Sequence, residues 1–232
     1  MLKEMPKKYW RNLPETRQAP EMVAGARARQ AAMLAAAPPA PDDGARRIAA
    51  RFAASRVEAP AADDLEALAR AARDCRRCPL GACATQTVFG EGPRAARAIL
   101  VGEQPGDRED LVGRPFVGPA GDILDEALRR AGLPREALYL TNAVKHFKHE
   151  PRGKRRLHKT PNAGEIDVCR WWLARELELV EAPVVAAMGA SALRGVAGAA
   201  FAGAALADLR GRDLDLGGRR LIVTVHPAYL LR

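Results

Sequence analysis

Four short apolar runs recur along the chain: AILV at 98–101, LYLT at 138–141, VVAAM at 184–188 and LIVTV at 221–225. None alternates with polar residues, which is the pattern of a strand buried on both faces. Between them the apolar positions return every three or four residues, predicting helices over 122–131, 163–179 and 191–196. A further amphipathic helix is predicted in ADDLEALARAARDC, with Asp63 or Asp64 at its N-cap. Strands alternating with helices predict a three-layer α/β/α sandwich around a central, mostly parallel four-stranded sheet. Ligands of such sheets bind beyond the carboxyl ends of the strands. Here those ends read GEQPGDRED, NAVKHFK, GAS and HPAYLLR, polar and glycine-rich where a site belongs.

Residues 1–60 break this rhythm. KKYWRNLPE is basic and aromatic, and the Ala-, Pro- and Arg-rich stretch after it is interrupted by APPAPDD. It reads as the tail of an upstream fused domain followed by a linker, so that 61–232 is the expected catalytic or binding domain and the chain is part of a larger fusion protein. A disordered N-terminal arm would look the same.

Charge adds a partner class. With 37 Lys+Arg against 28 Asp+Glu the net charge is +9, which suits a polyanion, nucleic acid above all. A GC-rich genome would also enrich Arg and Ala. The N-terminus lacks the apolar core of a secretory signal, and no apolar run reaches the roughly 18–20 residues of a membrane span. A cytoplasmic protein with reduced thiols and no membrane partner is expected.

In that compartment four cysteines read as metal or cluster ligands before disulfides. Cys75 and Cys78 form a C-x2-C pair that can reach one metal from a single turn, with Cys83 close behind and Cys169 far downstream. Spacing alone does not separate zinc from iron–sulfur, and a lone cysteine is as readily a small core residue. GEQPGDRED places Glu103, Gln104, Asp107 and Asp110 at the mouth of the sheet, where carboxylates in a basic protein suggest acid–base work. Phe116, in RPFVGPAG, can stack on a base. Asn142 offers a donor and an acceptor side by side, which suits a nucleobase edge. His226 can donate to a developing oxyanion. Singly, each is as well explained by an ordinary turn, packing or structural role.

Together and in this order, GEQPG, PFVGPAG, TNAVK and VHP resemble the uracil-DNA glycosylase superfamily. The C-x2-C pair with Cys169 resembles its iron–sulfur branch, and GKRRLHKTP resembles the KRRIH motif of the UdgX group, with Leu157 in place of Ile. The resemblance runs from about Leu65 to the C-terminus. It implies an enzyme that flips uracil out of DNA and breaks its N-glycosidic bond. By that resemblance Phe116 stacks on uracil, Asn142 bonds its polar edge, Gln104 completes the pocket, His226 bonds uracil O2, and Asp107 and Asp110 line the pocket. His158 maps onto the histidine that bonds covalently to the abasic sugar, oriented by Glu103, with Arg156 holding the segment or contacting DNA. Lys154 and Arg155 would face phosphate. Cys75, Cys78, His146 and Cys169 are the implied ligands of a 4Fe-4S cluster, with Cys83 as the competitor to His146. The implied partner is uracil-containing DNA, single-stranded by preference, bound by a monomer. The implied outcome is a single-turnover covalent adduct. A conventional turnover glycosylase and a non-catalytic zinc-containing DNA-binding module are the other readings. The family continues past HPAYLLR with a C-terminal helix, so this chain is expected to leave one sheet face less covered.

Overall fold

A computed structural model describes residues 64–153, 155–201 and 204–231. The expectations about residues 1–60 and Lys154 fall outside these residues. The described residues build a five-stranded sheet in which β1 (Ala98–Gly102), β2 (Leu138–Asn142), β5 (Val184–Met188) and β7 (Arg219–Thr224) are parallel. The strand order is β2-β1-β5-β7-β6. The fifth strand, β6 (Leu214–Leu216), pairs antiparallel with β7 at the edge. It enlarges the predicted four-stranded sheet. Its three residues, LDL, are too few to show a period.

Helices form the outer layers. α1 (Leu65–Ala72) begins at Asp64, whose carboxylate accepts from Ala67 N at 2.6 Å. α2 (Leu80–Cys83) is a single turn, and α3 (Asp107–Val112) follows β1 directly. α4 (Pro119–Ala131) starts with Pro at its first turn and stops at Gly132, whose φ of 66° a side chain would resist. α5 (Ala163–Leu179) starts in a reciprocal cap: Asn162 Oδ1 accepts from Glu165 N at 2.9 Å, and Glu165 accepts from Asn162 N at 2.7 Å. α6 (Ala190–Ala197) and α7 (Leu206–Leu209) complete the set.

One main apolar cluster joins Ile99, Val101, Val185, Leu221 and Val223 to Leu173, Leu177 and Leu193. Another packs Phe116, Leu124 and Leu128 against Leu138, Leu140 and Met188. A satellite cluster gathers Leu68, Ala72, Cys75 and Cys169 around Ala143 and Val144. No helix among the described residues is long and apolar enough to cross a membrane.

Between β2 and α5 the histidine-rich run folds into an antiparallel hairpin of β3 (His149–Arg152) and β4 (Arg155–His158). Residues Arg155–His158 of the KRRLH segment are therefore strand.

Candidate active site

β1 lies between β2 on one side and β5 on the other, so the chain leaves the sheet centre in opposite directions from these strands. A parallel sheet opens a crevice at such a switch. Gly102 ends β1 there. A Cβ on Gly102 would stand 2.3 Å from Asn142 Oδ1, 2.6 Å from Phe116 Cζ and 3.3 Å from His226 Nε2. Side chains from the end of β2 and from two separate loops thus converge on one point.

Phe116 is buried with a φ of 54°, a conformation a bulky residue keeps only when its surroundings impose it. Arg135 donates to the Pro115 carbonyl at 2.8 Å, and Gly121 packs so tightly that a Cβ would lie 2.1 Å from the Phe116 carbonyl oxygen. The Phe116 ring stacks toward His226 at 6.1 Å and 29°. His226 Nδ1 accepts from Ala228 N at 3.2 Å, which leaves the ring proton on Nε2. That Nε2 is buried and has no partner. A buried donor left unmade costs about 1–3 kcal/mol, a cost that a ligand acceptor would remove. Burial pushes His226 below the ordinary histidine value; Glu103 opposes the shift and His158 adds to it. The ring is a neutral donor.

The hairpin brings the second group of residues. Gln104 donates to the carbonyls of Lys148 (3.2 Å) and Lys159 (3.1 Å) and accepts from Lys148 N (3.1 Å). Its side chain therefore clamps the base of the hairpin. Arg156 donates from Nε to Asp107 (2.6 Å), and from one terminal nitrogen to Asp110 (2.5 Å) and Thr85 Oγ1 (3.0 Å). Asp110 is fully buried and also accepts from Thr85 N at 3.0 Å. Both aspartates thus hold Arg156, Asp110 also holds the loop before β1, and Arg156 pins β4 across α3. His158 Nε2 sits 3.4 Å from Glu103 Oε1, while Glu103 Oε2 accepts from Ser191 Oγ at 2.7 Å. The imidazole is 45% exposed, open to a partner from solvent. His149 faces His158 across the hairpin, and Phe147 stacks on His149 at 5.0 Å.

Cys75, Cys78 and Cys169 meet in the satellite cluster; Cys83 is exposed. Cys75 Sγ accepts from Trp172 Nε1 (3.1 Å) and Cys169 Sγ from Lys145 N (3.3 Å). Burial pushes the Cys169 thiol up to about 12, and Cys75 and Cys78 add to the rise, so the three sulfurs feel one another. Thr87 Oγ1 gives its single proton to Ala72 O at 2.9 Å and lies 2.9 Å from His146 Nε2, so it must accept there. His146 Nδ1 then carries a bare lone pair, and it is buried without a partner. An orphaned imidazole lone pair beside three gathered sulfurs fits a soft metal group. Among the described residues no three His, Cys, Asp or Glu side chains gather closely enough to hold a single ion.

Two buried carboxylates were not apparent in the sequence. Glu109 accepts from Gly106 N (3.1 Å), Val117 N (3.1 Å) and Gly118 N (2.8 Å), tying the turn after β1 to the Phe116 loop. Its position two residues past Asp107, at the third residue of a helix entered through a glycine, was the available cue. Glu176 is fully buried with Lys145, and nothing in the alternation of ARELEL distinguishes it from an exposed glutamate.

Comparison with known proteins bears on this geometry. The family described as the uracil DNA glycosylase superfamily matches residues 89–232. A type-4 uracil-DNA glycosylase of Thermotoga maritima is 38% identical over 169 residues, spanning 72% of this chain and 83% of that protein. Another from Pyrobaculum aerophilum is 35% identical over 178 residues, 73% of this chain and 85% of that protein. A third from Archaeoglobus fulgidus is 38% identical over 127 residues, 55% of this chain and 60% of that protein. With the convergence at Gly102 drawn from the same strand ends that the family match covers, this chain belongs to the uracil-DNA glycosylase superfamily.

Proposed function

We propose that this protein excises uracil from DNA and stays bonded to the resulting sugar through His158. The observation that carries the excision is the buried, unpartnered Nε2–H of His226 facing the point where Asn142 and Phe116 converge. Uracil flipped from the stack presents an acceptor at O4 and a donor at N3, and the Asn142 amide answers with the opposite pair. Cytosine presents the reverse order and leaves both unmet. Phe116 supplies the stacking face. As the C1′–N1 bond breaks, its electron pair leaves with uracil, and His226 Nε2–H is placed to bond the O2 on which charge gathers.

For the covalent step, one ring nitrogen of His158 faces Glu103 and the other keeps a lone pair. That lone pair forms the bond to C1′, and Glu103, steadied by Ser191, takes the surplus imidazole proton. Gln104 and Arg156 hold the strand that carries His158. Cys75, Cys78, His146 and Cys169 would hold a 4Fe-4S cluster that braces α1, α5 and the segment after β2. The excess of positive charge supports DNA as the partner.

Incubation with single-stranded uracil-containing DNA is expected to give one denaturation-resistant protein–DNA band per enzyme. His158→Ala should abolish that band. Uracil released in excess of enzyme, with no band from the wild type, establishes a turnover glycosylase, in which Glu103 orients water in place of His158. For the cluster, the purified protein should absorb near 400 nm, and Cys78→Ser should lose that absorbance; a colourless protein containing zinc refutes it. Repeating the assay on duplex DNA tests the single-strand preference.

A further inference from the structure

Behind Asn142 lies an ion pair that the chemistry above does not use. Lys145 and Glu176 are both 0% exposed. Ion pairs at such depth add little net stability, and apolar residues of similar volume usually serve the fold as well or better. This one is saturated. Lys145 Nζ has three protons and three acceptors: Thr141 Oγ1 (2.6 Å), Asn142 O (2.8 Å) and Glu176 Oε2. Glu176 Oε1 accepts from Gly90 N (3.1 Å), Tyr139 Oη (3.0 Å) and Thr141 Oγ1 (3.0 Å). Gly90 admits the carboxylate, since a Cβ there would stand 2.3 Å from Glu176 Oε1.

What the pair holds is the turn that carries Asn142. Ala143 N and Val144 N donate to the carbonyls of Gly102 and Glu103 at 2.9 Å and 3.0 Å, stitching the segment to the end of β1. Lys145 then grips the Asn142 carbonyl from within, while its own N–H bonds Cys169 Sγ. Glu176 and Cys169 stand seven residues apart on α5, on one helix face. An apolar pair could fill this volume and could not hold the carbonyl.

We propose that Lys145, anchored by Glu176, is the positioning residue that sets the Asn142 amide against uracil and so fixes selection of uracil over cytosine. The proposal rests on the glycosylase reading and extends it to a residue that never touches the base. It predicts a coupling that a purely structural ion pair lacks: losing the pair should degrade base selection only while Asn142 is present to misplace.

The test is binding of single strands carrying one 2′-fluoro-deoxyuridine or one 2′-fluoro-deoxycytidine, which resist cleavage. The wild type is expected to favour the uracil strand. If it shows no preference, the glycosylase reading fails and this proposal with it. The double variant Lys145→Met with Glu176→Gln avoids leaving a buried charge alone. Its uracil-over-cytosine ratio should fall about tenfold or more, the discrimination one bidentate base contact supplies. Its affinity for the cytosine strand should stay near wild type. Added to Asn142→Ala, the same pair of changes should produce no further fall. A wild-type ratio in the double variant, or an equal fall in the Asn142→Ala background, overturns the proposal while leaving the glycosylase reading intact. If the double variant does not fold, Glu176→Gln alone keeps the shape, frees Lys145 from its anchor and is read the same way.

Discussion

Two buried polar regions lie within a few residues of each other in this protein, and they differ in how completely they are satisfied. Around Glu176 every proton of Lys145 has an acceptor, and the carboxylate collects bonds from Tyr139, Thr141 and the backbone of Gly90. Around Gly102 the Nε2 of His226 is buried with nothing to bond. A closed network stores its value in the folded protein alone. An open one carries a cost in the free protein that binding would remove. The contrast separates residues that build the site from residues that meet a ligand, although the polar atoms of both are hidden from solvent.

The contrast can be broken most sharply from the closed side. Lys145→Met leaves the Glu176 carboxylate buried and unpaired, so unfolding free energy should drop by about 3–5 kcal/mol. Adding Glu176→Gln should restore most of it. Urea denaturation of the two variants measures both; equal stability would mean that the pair is not a unit.

From the open side the loss should fall on activity. Gly102→Ala puts a methyl group among Asn142, Phe116 and His226, at separations of 2.3–3.3 Å. Displacing these groups by about an ångström should slow uracil release about a hundredfold, with a stability cost of about 1–3 kcal/mol for overpacking. Rates on uracil-containing DNA alongside urea denaturation check this. A variant that loses stability and keeps its rate would show that the convergence at Gly102 is packing and no more.

The smallest effect sharpens the role of His226 through pH. Its folded value is depressed by burial, so below its unfolded value of about 6.5 the unfolded chain takes up a proton that the folded chain refuses. Stability from this group is complete above about pH 6.5 and is lost as pH falls from there toward the lower folded value. His226→Gln keeps a donor and does not titrate. It should flatten the stability profile between pH 7 and 5 by at most about 1.4 kcal/mol per pH unit, one proton's worth. An unchanged slope in the variant would place the acid sensitivity elsewhere.

The parallel strands, their order of helices and the polar strand ends were legible because each is a local pattern. AILV and VVAAM are apolar on both faces because both faces are covered. The hairpin was not legible: HEPR and RRLH have almost no apolar alternation and are largely exposed. What makes them strands is distant, the Gln104 amide at the base and the Asp107–Arg156–Asp110 contacts midway. Glu103 stands beside His158, and the unpartnered nitrogens of His146 and His226 emerge only once the fold is known. Gln104, Asp107 and Asp110 sit at the expected place with their side chains turned to the hairpin. Glu176 was invisible because its partner lies a full helix and a hairpin away in sequence.

The base of that hairpin carries one more consequence. Lys148 and Lys159 are bonded to each other, Lys159 N to Lys148 O at 3.0 Å, and one Gln104 amide closes over both. The chain therefore leaves the scaffold and returns to it at a single point. Everything between, His158 included, is a cassette whose removal would leave two adjacent ends for a tight turn to join. A lineage could acquire or discard the reactivity proposed for His158 without disturbing a single strand of the sheet, and an engineer could test that reactivity by transferring the cassette together with the glutamine that latches it.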